Sequence, residues 1–299
     1  MSARPRIATA PAAKGKPVTL SSLNEHKALG EPIAMITAYD YPSARVAEEA
    51  GVDIVLVGDS AAMTVLGYPS TVPVSVEEML MLAGAVRRGL ETPLLVGDLP
   101  FGSYEVSDEQ AVTTAQRFVK EAGCDAVKLE RGGSSAARAG AIIAAGIPVM
   151  GHVGLTPQTA TALGGYRSQG RTGERALEVT EGALALQQAG CFAIVFEAIP
   201  SDVTDLIMPR LHVPVIGIGA GPATDGQVLV FHDLLGIYEG HAARFVKRYA
   251  SVREQMVAGV HAFAEDVRAR RYPAPEHGYE MAPDERERLR ALLAAKAAG

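Results

Sequence analysis

The chain has 299 residues, 48% hydrophobic and 21% charged, a balance that supplies a full core and excludes a disordered or fibrous protein. Its formal charge of -6, with no Lys/Arg stripe carrying interleaved aromatics, leaves no electrostatic footprint for nucleic acid. No run approaches the roughly 20 apolar residues of a membrane-spanning helix, so the chain reads as soluble and without a membrane partner.

Residues 1–17 carry Arg4, Arg6, Lys14 and Lys16 without an acid. They lack the apolar region of a secretory signal and their prolines spoil an amphipathic helix, so they read as a disordered extension. A short helix is expected over 18–30. Eight runs rich in Val, Ile, Leu, Ala and Met then read as buried parallel strands: 33–37, 53–57, 93–96, 126–129, 147–151, 192–196, 213–218 and 227–231. Helix-period segments lie between most of them. The segment 76–90 opens with Ser75 and Glu78 at capping-box spacing, and 108–122 opens with Ser107 and Gln110 in the same arrangement.

An internal repeat supports the count. AGVDIVLVGD from Ala50, AGCDAVKLE from Ala122 and AGCFAIVFE from Ala189 each join a helix end to a strand, the second, fourth and sixth. The third, fifth and seventh, in TPLLVGD, IPVMGH and VPVIGIG, share a proline entry and a glycine near the exit. Two alternating strand types suit a closed barrel whose interior is layered from alternate strands. The expected fold class is α/β, a (β/α)8 TIM barrel over 18–265 with an N-terminal cap helix. A C-terminal tail, 266–299, carries a helix at 284–296. An open doubly wound sheet is the competing architecture and would bind at a switch point. Cys124 and Cys191 precede apolar runs and read as buried thiols; with no CxxC spacing or disulfide framework, they point to a cytoplasmic protein.

Acidic side chains recur immediately after the strand runs, at Asp40, Asp59, Asp98, Glu130 and Glu197. In a parallel barrel the carboxyl ends of all strands converge on one face. Asp59, Asp98 and Glu130 follow three neighbouring strands, and an all-oxygen set without Cys or paired His selects a hard cation such as Mg²⁺. The competing role for these acids is to cap the following helices. Lys128 lies two residues before Glu130 and points to the same side of its strand. It would hold a substrate carboxylate or a developing enolate, or pair with Glu130 or Asp98; a Schiff base needs a neutral lysine, which the acids disfavour.

Glu197 closes the sixth strand in the apolar run IVFEAIP and reads as a general base, with a helix-start role as the alternative. His152 ends the fifth strand, either donating to a substrate oxygen or serving as a satisfied structural histidine. The glycines of GIGAG, from Gly217 to Gly221, do not follow GxGxxG and precede Pro222, so they read as a tight turn where a ligand approaches backbone. His232 and Asp233 are further mouth residues without an assigned role. The glycine-rich segment 163–172 reads as a candidate lid.

The motifs TAYDYPSA, VGDS, GYPSTVPVS, GDLPFGSY, AVKLE, GHVGLTPQ, LGGYRSQGR, IGIGAG and DGQVLVFHDLLG occur in order between residues 18 and 236. As a set they closely resemble the ketopantoate hydroxymethyltransferase family. The resemblance implies a (β/α)8 enzyme of pantothenate biosynthesis that uses Mg²⁺. It implies transfer of a hydroxymethyl group from 5,10-methylenetetrahydrofolate to 3-methyl-2-oxobutanoate, giving 2-dehydropantoate through a metal-stabilised enolate. By motif position it implies Asp59 and Asp98 as metal- and substrate-binding residues and Glu130 as the third metal-site acid. Ser60, Lys128 and His152 match substrate contacts, and Glu197 matches the catalytic base. It also implies a homo-oligomer, a decamer, whose small-molecule partners are the 2-oxo acid and the folate. Two positions depart from the familiar pattern: Arg131 stands in place of Gly and Pro69 in place of Asp. A Mg²⁺-dependent lyase of the phosphoenolpyruvate and isocitrate-lyase-like barrels would share the enolate logic, but no KxCGH-type cysteine loop is present. A non-catalytic binding or assembly scaffold would leave the converging acids unexplained.

Overall fold

The computed structural model describes residues 15–240 and 243–297; the first 14 residues of the expected disordered extension lie outside the described residues. The chain divides between Ala250 and Ser251 into two compact units. In the first, α1 (Leu20–Leu29) precedes β1 (Ile33–Thr37), α2 (Tyr41–Ala50), β2 (Ile54–Val57), α3 (Ala61–Thr64) and α4 (Val76–Arg87). Next come β3 (Leu94–Asp98), α5 (Asp108–Lys120), β4 (Ala126–Lys128), α6 (Ala136–Ala144) and β5 (Val149–Gly154). Then follow α7 (Gly173–Gln188), β6 (Ala193–Glu197), α8 (Ser201–Ile207), β7 (Val215–Ile218), β8 (Gly226–Leu229) and α9 (Phe231–Leu234). Every strand pairs in parallel with its sequence neighbours, and β8 closes on β1. Closure leaves no sheet edge and rules out the open doubly wound alternative.

Strand period two sorts the residues into two packed layers. Ile33, Met35, Ile54, Leu56, Leu94, Val96, Met150, Val195, Ile216 and Val228 fill the barrel interior. Leu23 of α1, fully buried in the same cluster, plugs its amino-terminal end as the cap-helix expectation required. A capping box of Thr19 and Ser22 starts α1, and a 2.7 Å ion pair from Lys27 Nζ to Asp225 Oδ2 ties it to the turn before β8. The alternate phase packs against the helices. A Cβ on Gly97 of β3 would overlap Phe118 of α5, and one on Gly151 of β5 would overlap Leu186 of α7. The glycine signature of these odd strands is therefore a close helix-on-strand contact.

Several expected boundaries move. β5 runs to Gly154 rather than 151 and takes His152 into the ladder opposite Val195. β8 ends at Leu229, because Phe231 already starts α9. The capping box at Ser75 and Glu78 forms in full. At α5 it forms by half: Ser107 accepts from the Gln110 N–H at 3.1 Å, while Gln110 Oε1 accepts from Val106 N–H at 2.9 Å. Cys124 and Cys191 are buried and free, and burial pushes both thiols up to about 12.

The second unit holds α10 (Val252–Arg268) and α11 (Pro283–Ala297), so the sequence-based boundary at 265 falls within α10. Neither helix buries a residue, and α10 exposes Met256, Val257, Val260, Phe263 and Val267 at helical spacing. No described helix is long and apolar enough to cross a membrane.

Candidate active site

The phase that fills the barrel interior ends, on four strands, in a polar side chain at the carboxyl rim. Leu94 and Val96 lead to Asp98, Ala126 to Lys128 and on to Glu130, Met150 to His152, and Ala193 and Val195 to Glu197. Asp59 lies two residues beyond β2. The β3–β4 register sets Asp98 directly opposite Lys128.

Asp59, Asp98 and Glu130 each offer an oxygen within 4.8 Å of the others. All three are at most 4% exposed. Lys128 Nζ donates to Asp98 Oδ1 and Oδ2 at 2.8 and 2.9 Å and to Glu130 Oε1 at 3.3 Å. The Asp59 backbone N–H donates to Asp98 Oδ2 at 3.2 Å. None of these acids caps a helix: the N-caps of α3, α5 and α6 are Ser60, Ser107 and Ser135. Asp40 is the strand-end acid that does cap, accepting from Ser43 N–H at 2.7 Å.

Burial, then the charges of Asp98 and Glu130, hold the Asp59 carboxyl well above its ordinary range. Burial likewise lifts Asp98, outweighing Lys128. Burial opposes charge on Glu130 as well, yet Lys128 and His152 hold it down to about 2. Lys128 is desolvated but raised by Asp98, Glu130 and Asp59, so it is an ammonium and no Schiff-base amine. Three buried carboxylates share too little positive charge. A hard divalent cation would supply it, and the all-oxygen donor set fits Mg²⁺.

His152 links this cluster to the sixth strand. Its Nδ1 stands 3.3 Å from Glu130 Oε1 and its Nε2 3.3 Å from Glu197 Oε2, ion-pair separations without a formed hydrogen bond. Burial and Lys128 oppose a charge on the imidazole, but Glu130 and Glu197 outweigh them and raise it to about 9. The Glu197 carboxylate, 16% exposed, is the more open of the pair. Across the mouth, Ser60 Oγ lies 2.8 Å from the Tyr39 hydroxyl, which burial pushes up to about 12. All seven site residues singled out from the sequence line one cavity of about 200 Å³, together with Asp233. His232 instead packs on the Tyr39 ring, centroids 5.4 Å apart.

The sequence reading passed over Gln158 and Tyr104. Gln158 Nε2 donates to Asp59 Oδ2 at 3.0 Å and to Leu99 O at 2.9 Å, and its backbone N–H donates to Glu130 Oε2 at 3.1 Å. Tyr104 donates to Gln158 Oε1 at 2.6 Å and accepts from Glu130 N–H at 3.2 Å. One amide and one phenol thus brace two of the three acids. Tyr104 lies in the loop after β3, within GDLPFGSY, and Gln158 in a 3-10 turn after β5, within GHVGLTPQ, where strand-end placement gives no signal.

A family model described as ketopantoate hydroxymethyltransferase matches residues 17–275. The chain belongs to this family. The 3-methyl-2-oxobutanoate hydroxymethyltransferase of Carboxydothermus hydrogenoformans is 49% identical over 91% of this chain and 99% of its own length. That of Saccharopolyspora erythraea is 52% identical over 86% and 88%. Membership makes the chain a hydroxymethyltransferase by family. Among solved structures, a phosphonopyruvate hydrolase complexed with oxalate and Mg²⁺ superposes with a TM-score of 0.59 at 16% identity, covering 93% of this chain and 98% of that one. A 2,3-dimethylmalate lyase of the PEP mutase/isocitrate lyase superfamily follows with a TM-score of 0.53 at 17% identity, over 95% and 100%. At such identities these likenesses concern the barrel fold alone.

Proposed function

We propose that the chain transfers a hydroxymethyl group from 5,10-methylenetetrahydrofolate to 3-methyl-2-oxobutanoate, giving 2-dehydropantoate, with Mg²⁺ held by Asp59, Asp98 and Glu130. The observation that carries this reading is the gathering of these acids within 4.8 Å, in a cavity that Lys128 and Glu197 also line, in a chain of this family. When bound, the ion supplies Lewis-acid polarisation of the 2-oxo acid, which acidifies its C3–H. Lys128, clamped by Asp98, balances the charge that builds on the substrate oxygens. Ser60 and His152 donate to the same oxygens. Leu56, Val195 and Val228 form an apolar wall for the branched end of the substrate.

Glu197 takes the C3 proton as general base. In the balanced reaction the C3–H bond and both bonds from the methylene carbon to the folate nitrogens break, and a C3–CH2 bond and a CH2–OH bond form. The hydroxyl of one water ends on the transferred carbon, and the C3 proton and the remaining water proton end on the two folate nitrogens. Incubation with Mg²⁺ and 3-methyl-2-oxobutanoate in deuterated water tests the first half. Exchange of the C3 proton is expected, with loss on chelation; exchange that ignores chelator would remove the metal-assisted step. Product identification with methylenetetrahydrofolate tests the second half, and the absence of a one-carbon adduct would remove transfer.

We propose in addition a cytoplasmic homo-oligomer, a decamer following the resemblance. The exposed apolar stripe of α10 and the two unpaired buried thiols support it. Sedimentation as a monomer would sink the assembly.

A further inference from the structure

A second cavity, of about 860 Å³, opens beside the first. Glu197 and Phe245 line both, so the two chambers meet at the proposed base. Size separates their tasks. Sites for drug-sized molecules occupy roughly 300–1,000 Å³; the inner chamber, at about 200 Å³, suits the small oxo acid, and the outer one suits a ligand of several rings.

The lining of the outer chamber has a definite chemistry. Tyr166, Tyr238 and Phe245 offer aromatic faces, and Arg167 and Arg244 stand at its edge. Neither arginine is ion-paired among the described residues, and both are exposed. Phe245 rests against Gly219, whose φ of 65° and close contact would put any Cβ into the ring. The glycine-rich GIGAG turn thus seats an aromatic ring at the junction. Tyr166 comes from the 163–172 segment, which is fastened by a 2.9 Å hydrogen bond from Gln169 N–H to the carbonyl of Ala198, the residue after Glu197. Burial raises the Tyr166 hydroxyl, and Asp59, Glu130 and Glu197 raise it further, as expected of a ring hung over the acidic rim. Aromatic walls with unpartnered cations at one edge suit a flat heterocycle that trails an anionic tail.

We propose that the outer chamber seats the reduced folate, with its ring system against Tyr166 and Phe245 and its glutamate carboxylates on Arg167 and Arg244. This rests on the transfer reading above and extends it by assigning the donor's residues. The one-carbon unit would enter at the Glu197 junction, where the inner chamber delivers C3 of the oxo acid.

Calorimetric titration of the full chain with tetrahydrofolate, in parallel with tetrahydropteroate, which lacks the glutamate, tests the assignment. Tyr166→Ala is expected to weaken both ligands at least about tenfold, while Tyr166→Phe retains both. Arg167→Ala combined with Arg244→Ala is expected to weaken tetrahydrofolate at least about tenfold and to leave tetrahydropteroate unchanged. Binding of 3-methyl-2-oxobutanoate with Mg²⁺ persists in each variant and reports an intact inner chamber. Equal tetrahydrofolate affinity in wild type and all variants would place the folate elsewhere and overturn this seat alone. A wild type that exchanges the C3 proton yet binds no tetrahydrofolate would instead remove the donor from the transfer reading, and the seat with it. Loss of tetrahydropteroate in the double arginine variant would overturn the arginine assignment.

Discussion

Two arcs of one rim differ in how they are built. Along β2 to β4, Asp59, Asp98, Lys128 and Glu130 are all at most 4% exposed and held by one another at hydrogen-bond distance. Along β6 and β7, Glu197 is partly open and is flanked by Ala198 at φ 49°, Gly219 at φ 65° and side chains borne by loops. The first arc is fixed by strand phase and register and stores buried charge before any ligand arrives. The second is fixed by turns and keeps a way in. A preorganised cluster of three acids around one ammonium suits capture of a cation, and an open arc suits entry of a bulky donor.

The sharpest way to break this contrast is to remove one charge from the closed arc. Asp98→Ala should lower C3 exchange of 3-methyl-2-oxobutanoate about 10⁴-fold, the scale of a lost Lewis acid together with its preorganised field. Exchange by this variant at a rate near wild type would leave the acid cluster without a chemical task. On the open arc, Glu197→Gln should cost about 10³-fold in exchange, within the range for a general base, while oxo-acid binding survives by calorimetry. If binding fell in step with exchange, the carboxylate would be a substrate contact instead.

Lys128→Met probes what holds the closed arc before the ion binds. It leaves three buried acids facing one another with their ammonium gone, so urea unfolding without divalent ions should show a loss of about 3 kcal/mol. Added Mg²⁺ should restore part of that loss, because a ligand that binds the folded state alone stabilises it by mass action. A variant as stable as its parent would show that the acids simply take up protons at no net cost.

The closed arc was legible because its signal is periodic. Asp98 and Lys128 continue the inward phase of their own strands and Glu130 the same phase two residues on, whereas Asp59, out of phase with Ile54 and Leu56, is brought inward by the turn after β2. Asp40 occupies the same kind of position, but Ser43 three residues on gives it a capping partner, and that pairing decided its role. His152 was recognised while its setting was not: Gly151 reads as the strand's exit, yet β5 runs through to Gly154. The bracing by Gln158 and Tyr104 and the aromatic lining by Tyr166 and Phe245 arise from loops that meet only in the folded chain. No spacing encodes such meetings.

Gln158→Leu tests that hidden bracing. It removes the amide donor to Asp59 and the acceptor of Tyr104, and about 2 kcal/mol of stability should go with them. The exchange rate should fall about tenfold, because Asp59 would lose its aim rather than its charge. Unchanged Mg²⁺ affinity in this variant would show that Asp59 is positioned by Asp98 alone.

The smallest effect concerns the turn beside the acid cluster. Arg131 follows Glu130 with φ 80° and ψ 15°, in the left-handed region that favours glycine. A residue with a Cβ pays about 1–2 kcal/mol there. A glycine there removes that cost and loosens the unfolded chain by roughly 0.5–1 kcal/mol. Arg131→Gly should therefore stabilise the fold by at most about 1.5 kcal/mol in urea unfolding, whereas Arg131→Val, β-branched and harder to hold at positive φ, should destabilise it. A glycine variant weaker than the parent would mean that the exposed Arg131 side chain makes contacts that outweigh its backbone strain, and that the turn beside the acid cluster is set by that side chain as well as by the backbone.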